Sequence, residues 1–198
     1  ADLGDAGQIS SLAVSVASLA EDYPQLGDNE SYTLRIPAAA NGKATLTAST
    51  VFGALRGLET FSQLVRFDFV TGVYTLRHAP WLIEDEPRFA HRGLMVDTAR
   101  HFQPVAALKG IVDSLSYAKL NVLHWHMSDT QSFPFESKSH PKLWDGAFSP
   151  EERYSQLDAR EVVEYARVRG VRVIVEFDVP GHAGSWCQGY PELCPNAT

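Results

Sequence analysis

The sequence predicts an α/β chain in two parts, a small α+β domain over residues 1–86 and a run of parallel βα units over residues 87–198. Two observations predict it. Up to about residue 87 apolar and polar residues alternate with period two around a single helical stripe. After EDEPRFAHRG the pattern becomes strand, helix, strand, helix, strand.

In the first part SLAVSVA (11–17), SYTLRIP (31–37) and KATLTAS (43–49) read as strands with one buried face, since β-branched and apolar residues recur at every second position. TVFGALRGLETFSQLV spaces Val51, Ala54, Leu55, Leu58, Phe61 and Leu64/Val65 at three and four, a stripe suited to covering a sheet. VRFDF (65–69) and GVYTLR (72–77) follow as strands joined through a Thr-Gly turn. Asp85-Glu86 reads as a solvated turn in the connector between the parts.

In the second part GLMVD (93–97) is the first strand. Gln103-Pro104 opens a helix with proline at its first position, where the missing N–H costs nothing, and Val105, Leu108, Ile111, Val112 and Leu115 form its apolar stripe. LNVLHWH (120–126) is the second strand. The next helix takes Asp158 as N-cap with Glu161 three residues on, and stops at Gly170. VRVIVEF (171–177) is a β-branched run expected to be buried on both faces.

The first and second strands start about 27 residues apart and the second and third about 50. The surplus, SDTQSFPFESKSHPKLWDGAFSPEERYSQL, directly follows the second strand. Extra loop at the carboxyl end of a parallel strand is where function is built, so it is the expected rim of a pocket.

Composition narrows the partners. With 44% hydrophobic and 21% charged residues the chain can bury a core, and 24 acidic against 17 basic residues give net −7 with no basic cluster to track a phosphate backbone. No nucleic-acid partner is expected. No stretch approaches the ~18 apolar residues of a membrane helix, and the start ADLGDAGQ lacks a basic-then-apolar signal pattern. A soluble chain with any signal removed, and no membrane partner, is the expectation. Cys187 and Cys194 are a candidate disulfide or a nearby reduced pair; without further Cys or His at ligand spacing, zinc fits them least. With the sequons at Asn29 and Asn196 they lean toward a secreted or lysosomal protein.

Ionisable residues gather at the carboxyl end of each strand of the second part: Asp97, Arg100 and His101 after the first, His124, His126 and Asp129 at the second, Glu176, Asp178 and His182 after the third. Burying charge costs several kcal/mol unless it is paired, so three strands ending this way point to one shared site. Plainer readings stand beside it. Arg100 can be an ion-pair partner of Asp97, and His124 and His126, on one strand face opposite Trp125, can be interior histidines donating to carboxylates. The competing chemistry is a metal-dependent hydrolase, because H-x-H at a barrel strand end with nearby carboxylates resembles the ligand set of the amidohydrolase superfamily. There, however, H-x-H belongs to the first strand, not the second.

RGLETFSQL (56–64), PRFAHRGLMVDTARHF (87–102), KLNVLHWHMSDTQSFPFES (119–137) and YARVRGVRVIVEFDVPGHAGSW (165–186) together resemble glycoside hydrolase family 20, the β-N-acetylhexosaminidases, most of all the eukaryotic lysosomal or secreted branch. The resemblance runs from about residue 31 to 198. It implies a small α+β domain followed by the first three βα units of a (β/α)8 TIM barrel, incomplete in this chain. It also implies substrate-assisted retaining hydrolysis of terminal N-acetylglucosamine or N-acetylgalactosamine with no cofactor and no metal. Arg100 then binds hydroxyls of the non-reducing sugar, and Asp129 and His182 form a supporting pair beside the general acid. The family's Asp-Glu pair after a glycine doublet has no counterpart in residues 1–198. The chain alone is therefore expected to be inactive, with the remainder of the barrel or a companion chain as partner and a homodimer or heterodimer compatible with the family. A non-catalytic family member is the further alternative.

Overall fold

The computed structural model describes residues 9–38 and 42–194; the sequon at Asn196 lies outside them. The chain divides after Ala90 into two compact units, each built around its own core.

The first unit begins with strands β1 (Ile9–Val16), β2 (Tyr32–Ile36) and β3 (Gly42–Ala48), followed by helix α1 (Val51–Leu64), the hairpin β4 (Val65–Asp68) and β5 (Val73–Leu76), and a strand not foreseen above, β6 (Trp81–Asp85). One sheet has the order β1-β3-β2-β6, with β1 parallel to β3 and the other pairs antiparallel. Asp85 is thus the last residue of a strand rather than part of a loose turn, and its carboxylate accepts the Tyr32 hydroxyl at 2.8 Å. In the hairpin, Gly72 takes the left-handed φ of +71° and the Asp68 carboxylate accepts the Val70 and Thr71 N–H groups, closing the turn.

Thr50 caps α1 by accepting the Gly53 N–H. The expected stripe of α1 holds in part: Ala54 is buried and Phe61 and Leu64 pack against the core, but Phe52, Gly53, Arg56 and Gly57 also face inward and Leu58 is exposed. The two glycines explain the wider inward face, because a Cβ on Gly53 would stand 2.3 Å from the Ser31 carbonyl oxygen and one on Gly57 2.3 Å from a Leu46 methyl. Helix and sheet approach so closely that only glycine fits, and glycine does not register in a count of apolar positions.

The second unit runs β7 (Gly93–Asp97), α2 (Val105–Tyr117), β8 (Val122–Ser128), α3 (Gln156–Arg167), β9 (Arg172–Phe177) and a short helix, α4 (Trp186–Gly189). Its sheet, β7-β8-β9, is parallel throughout. Leu123, Trp125 and Met127 of β8 point one way, into a core with Leu108, Val112 and Leu115 of α2 and Val162 and Ala166 of α3. Tyr154, from the surplus after β8, joins this core: it lies edge-on to Trp125 and its hydroxyl donates to the Gln103 carbonyl. By alternation His124 and His126 take the opposite face of β8.

Three expectations about this unit change. Pro104 is the N-cap of α2 rather than its first helical residue. Ser155, not Asp158, caps α3: the Ser155 hydroxyl accepts the Asp158 N–H at 3.1 Å while the Asp158 carboxylate accepts the Ser155 N–H at 2.8 Å. The earlier of two capping boxes wins because it adds helical hydrogen bonds, starting with Ala159 N–H to Ser155. And β9 is not buried on both faces, since among the described residues it pairs only with β8, leaving Val175 and Phe177 about two-fifths exposed.

Candidate functional site

Strand register assembles the site. Asp97 of β7 pairs with His126 of β8, and His126 with Glu176 of β9, so three ionisable residues stand in one row across the carboxyl end of the sheet. Asp129 follows β8 directly and is 1% exposed. Four donors meet its carboxylate: Arg100 Nη2 at 2.7 Å, His126 Nε2 at 2.8 Å, His182 Nδ1 at 3.0 Å and the Thr130 N–H at 2.6 Å. Burial raises the proton affinity of Asp129, but the Thr130 N–H, the two imidazoles and the Arg100 charge outweigh it and hold the carboxyl below its usual pKa.

Arg100 is paired with Asp97, as its plainer reading supposed, and with Asp129 as well. Asp97 is held in place by its own turn, accepting the Ala99 and Arg100 N–H groups at 3.0 Å each. Arg100 Nε donates to Gln131 Oε1 at 3.0 Å. Those bonds use three of the five guanidinium N–H groups, and the side chain is 36% exposed. Nη2 also lies 3.4 Å from His182 Nδ1, so Arg100 stands beside both members of the pair while part of its guanidinium is open to solvent.

His182 sits at a left-handed φ of +57°. Few non-glycine residues adopt that conformation, and it is found mostly where surrounding contacts enforce it. Asp129 takes Nδ1 of His182 at 3.0 Å and thereby orients the ring; the side chain is 57% exposed, with Nε2 as its other ring nitrogen. The backbone that follows is anchored by the Ser185 hydroxyl donating to the Asp129 carbonyl. Cys187 and Cys194 are joined by a disulfide. The loops after β8 and β9 interlock as a rim: a Cβ on Gly189 would stand 1.9 Å from the Lys142 carbonyl oxygen, and one on Gly146 2.4 Å from that of Ser185.

His126 is 6% exposed, with Nδ1 3.0 Å from Glu176 Oε2 and Nε2 2.8 Å from Asp129. Burial favours its neutral form, but its bonds to Glu176 and Asp129 and the nearby charge of Asp97 raise its pKa. Glu176 is lowered to about 2, chiefly by the hydrogen bond from His126, with burial opposing and His124 and Asp178 adding. His124 shares the Glu176 carboxylate through Nε2. The ligand atoms of His126, Glu176 and Asp178, and of Asp129, Asp178 and His182, each lie within 4.8 Å of one another, a spacing that suits a cation as well as hydrogen bonds. In the hydrogen-bond reading, both nitrogens of His126 face carboxylate oxygens, positions from which a ring N–H would donate.

Arg100, Asp129 and His182 therefore stand in mutual contact. Asn29 is exposed and remote in sequence from them, its side chain accepting the Ser31 N–H at 2.9 Å; His101 is exposed. Gln131 and Ser185 were missed because a polar loop residue has no periodicity to mark it; only their places in DTQ and beyond PGH were visible.

Residues 89–198 match the family model of the glycosyl hydrolase family 20 catalytic domain, and residues 3–64 match that described as beta-acetyl hexosaminidase like. Beta-hexosaminidase 1 of Arabidopsis thaliana is 53% identical over 95% of this chain and 35% of its own length, and the human beta-hexosaminidase subunit beta 45% identical over 94% and 33%. Among solved structures, the Flavobacterium johnsoniae chitobiase superposes with a TM-score of 0.81 at 40% identity, covering 91% of this chain and 26% of that one. The Vibrio harveyi exo beta-N-acetylglucosaminidase in complex with N-acetylglucosamine gives 0.76 at 28% identity, covering 94% and 30%. The chain spans about a third of the length of the relatives it matches.

Proposed function

We propose, since this chain belongs to glycosyl hydrolase family 20, that the full-length protein removes terminal non-reducing N-acetylglucosamine or N-acetylgalactosamine from glycans. In this reading residues 1–86 are the small α+β domain, and β7, β8 and β9 are the first three strands of a (β/α)8 barrel whose remainder, or a companion chain, completes the sugar site. A homodimer or heterodimer in a lysosomal or secreted setting fits the same reading. The disulfide and the exposed Asn29 sequon support that setting.

The observation that carries the proposal is the convergence of Arg100, His126 and His182 on one buried carboxylate, Asp129, at the carboxyl end of parallel strands. Arg100, 36% exposed, offers its guanidinium to sugar hydroxyls. Asp129 accepts the His182 Nδ1 hydrogen and so fixes the tautomer, leaving Nε2 to accept a hydrogen bond from an acid supplied elsewhere in the protein. Hydrolysis is substrate-assisted: the acetamido oxygen attacks the anomeric carbon as the glycosidic bond breaks and its oxygen leaves with the proton of that acid, and water later opens the oxazolinium, so none of these residues acts as nucleophile.

The test is hydrolysis of p-nitrophenyl N-acetyl-β-D-glucosaminide by the full-length protein and its Asp129→Asn variant. The amide donates where the carboxylate accepted and reverses the His182 tautomer; kcat is expected to fall by about 10²–10⁴-fold. An unchanged kcat sinks the role of Asp129. Activity lost to a chelator and restored by zinc favours a metal-dependent hydrolase instead.

A further inference from the structure

We propose that His126 is a positioning residue: a buried imidazolium that ties Glu176 to Asp129 and fixes Asp129 as the anion that orients His182. Resting on the hexosaminidase reading above, the proposal gives a task to a residue that touches none of the sugar-facing groups.

Geometry carries it. A neutral imidazole has one N–H, yet both His126 nitrogens face carboxylate oxygens, Glu176 at 3.0 Å and Asp129 at 2.8 Å. Only a ring donating from both nitrogens, or a proton on one carboxyl, avoids a lone pair against an oxygen anion. Both carboxyls are shifted toward their ionised forms, which leaves the proton on the ring. The groups facing His126 agree in sign: Asp97 from β7, Glu176 from β9 with Asp178 just beyond it, and Asp129 after its own strand. The opposing cation, Arg100, is neutralised by Asp97 and Asp129.

The consequence runs along the chain Glu176, His126, Asp129, His182. Without the His126 charge, Asp129 would share one fewer donor, and its proton affinity would rise. It would then hold the His182 Nδ1 hydrogen more strongly and at a less fixed angle. His126 therefore sets how firmly Asp129 orients His182 toward its partner. The raised pKa of His126 makes its contribution to stability present below the ordinary histidine value of 6.5 and lost as pH rises through its folded value. The lowered pKa of Glu176 makes its contribution present above the ordinary carboxylate value of 4.5 and lost as pH falls toward about 2. The link is whole between those limits.

Two measurements on the full-length protein test this. In ¹⁵N-histidine NMR of the unmutated protein, both His126 nitrogens are expected to stay protonated above pH 6.5, the ordinary histidine value; a ring that is neutral there overturns the proposal whatever the enzyme does. In kinetics, His126→Asn is expected to lower kcat about tenfold with KM little changed and to move the acid limb of the kcat profile upward, the size of effect known for partners behind an active group. His124→Asn, which removes a second Glu176 donor on the same strand, is expected to leave that limb in place. A His126→Asn profile identical to the unmutated one, or an equal shift from His124→Asn, overturns the proposal. An unmutated protein that hydrolyses no hexosaminide overturns the functional reading instead, and the NMR result still decides the charge of His126.

Discussion

Glu30 in the first unit and Asp129 in the second are both buried carboxylates that face an arginine, and their surroundings differ in one respect. Arg56 is as buried as Glu30, 2% against 7% exposed, and meets it through Nε at 2.7 Å. Arg100 meets the almost wholly buried Asp129 at 2.7 Å but keeps 36% of its side chain exposed. Arg56, on the inward face of α1, is buried together with its carboxylate, so the pair holds the helix in place. An arginine held by Asp97, Asp129 and Gln131 with about a third of its side chain open to solvent is preorganised for a ligand. The difference between a structural and a functional ion pair therefore lies less in the pair than in which partner reaches solvent.

The comparison breaks most visibly at Glu30. Glu30→Gln removes the carboxylate that Arg56 Nε meets at 2.7 Å while the guanidinium stays buried, and removing one partner of a buried pair costs about 3–5 kcal/mol. Denaturant unfolding of the full-length protein is expected to show that loss in the transition of the first unit, with kcat per folded molecule unchanged. A loss under about 1 kcal/mol would mean that Arg56 finds other anions or water as easily.

A smaller effect tests why α1 buries the face that it does. Gly57→Ala places a Cβ 2.3 Å from Leu46 Cδ1 and 3.0 Å from Tyr32 Cδ2. Overpacking of this kind costs about 1–3 kcal/mol and outweighs the ~1 kcal/mol of helix propensity that alanine adds. Gly110 of α2 has nothing within 4 Å of its Cβ position, so the same substitution there is expected to stabilise by about 0.4–1 kcal/mol. Opposite signs in thermal unfolding support the close approach at Gly57; like signs would dissolve it.

Much of this was legible in the sequence, for a physical reason. Alternation along LNVLHWH separates Trp125 from the two histidines, and three apolar strands each ending in ionisable residues mark a shared site. Strand-end position marked a group of ionisable residues, and the resemblance, not the pattern, singled out Arg100, Asp129 and His182 among them and paired the last two. Contacts that depend on register or on the distance between two segments had no such guide. The placement of His126 between Glu176 and Asp129 needs the register of β8 on β9, and the inward face of α1 needs the helix-to-sheet distance that its glycines permit. Strand β6 was passed over because WLIED is short, follows a proline and ends in two acids; it becomes a strand only by pairing with β2.

The last prediction returns to Arg100 and reverses the pattern expected of Glu30. Arg100→Lys keeps the charge beside Asp97 and Asp129 but replaces a planar fork with a single ammonium group. The contacts to Asp97, Asp129 and Gln131 and a further contact to a sugar cannot all be made by one nitrogen, so the lysine either stays with the carboxylates or turns to the ligand. Turnover by the full-length protein is expected to fall at least about tenfold, equal to about 1.4 kcal/mol in barrier. Stability should move by less than about 0.5 kcal/mol, since a partly exposed pair contributes little. The decisive quantity is the ratio of the two effects. If Arg100→Lys costs as much in unfolding as in turnover, Arg100 is a structural pair like Arg56 and the sugar-facing role fails. If the cost falls on catalysis alone, the exposed edge of the guanidinium is what the fold of the second unit is built to present.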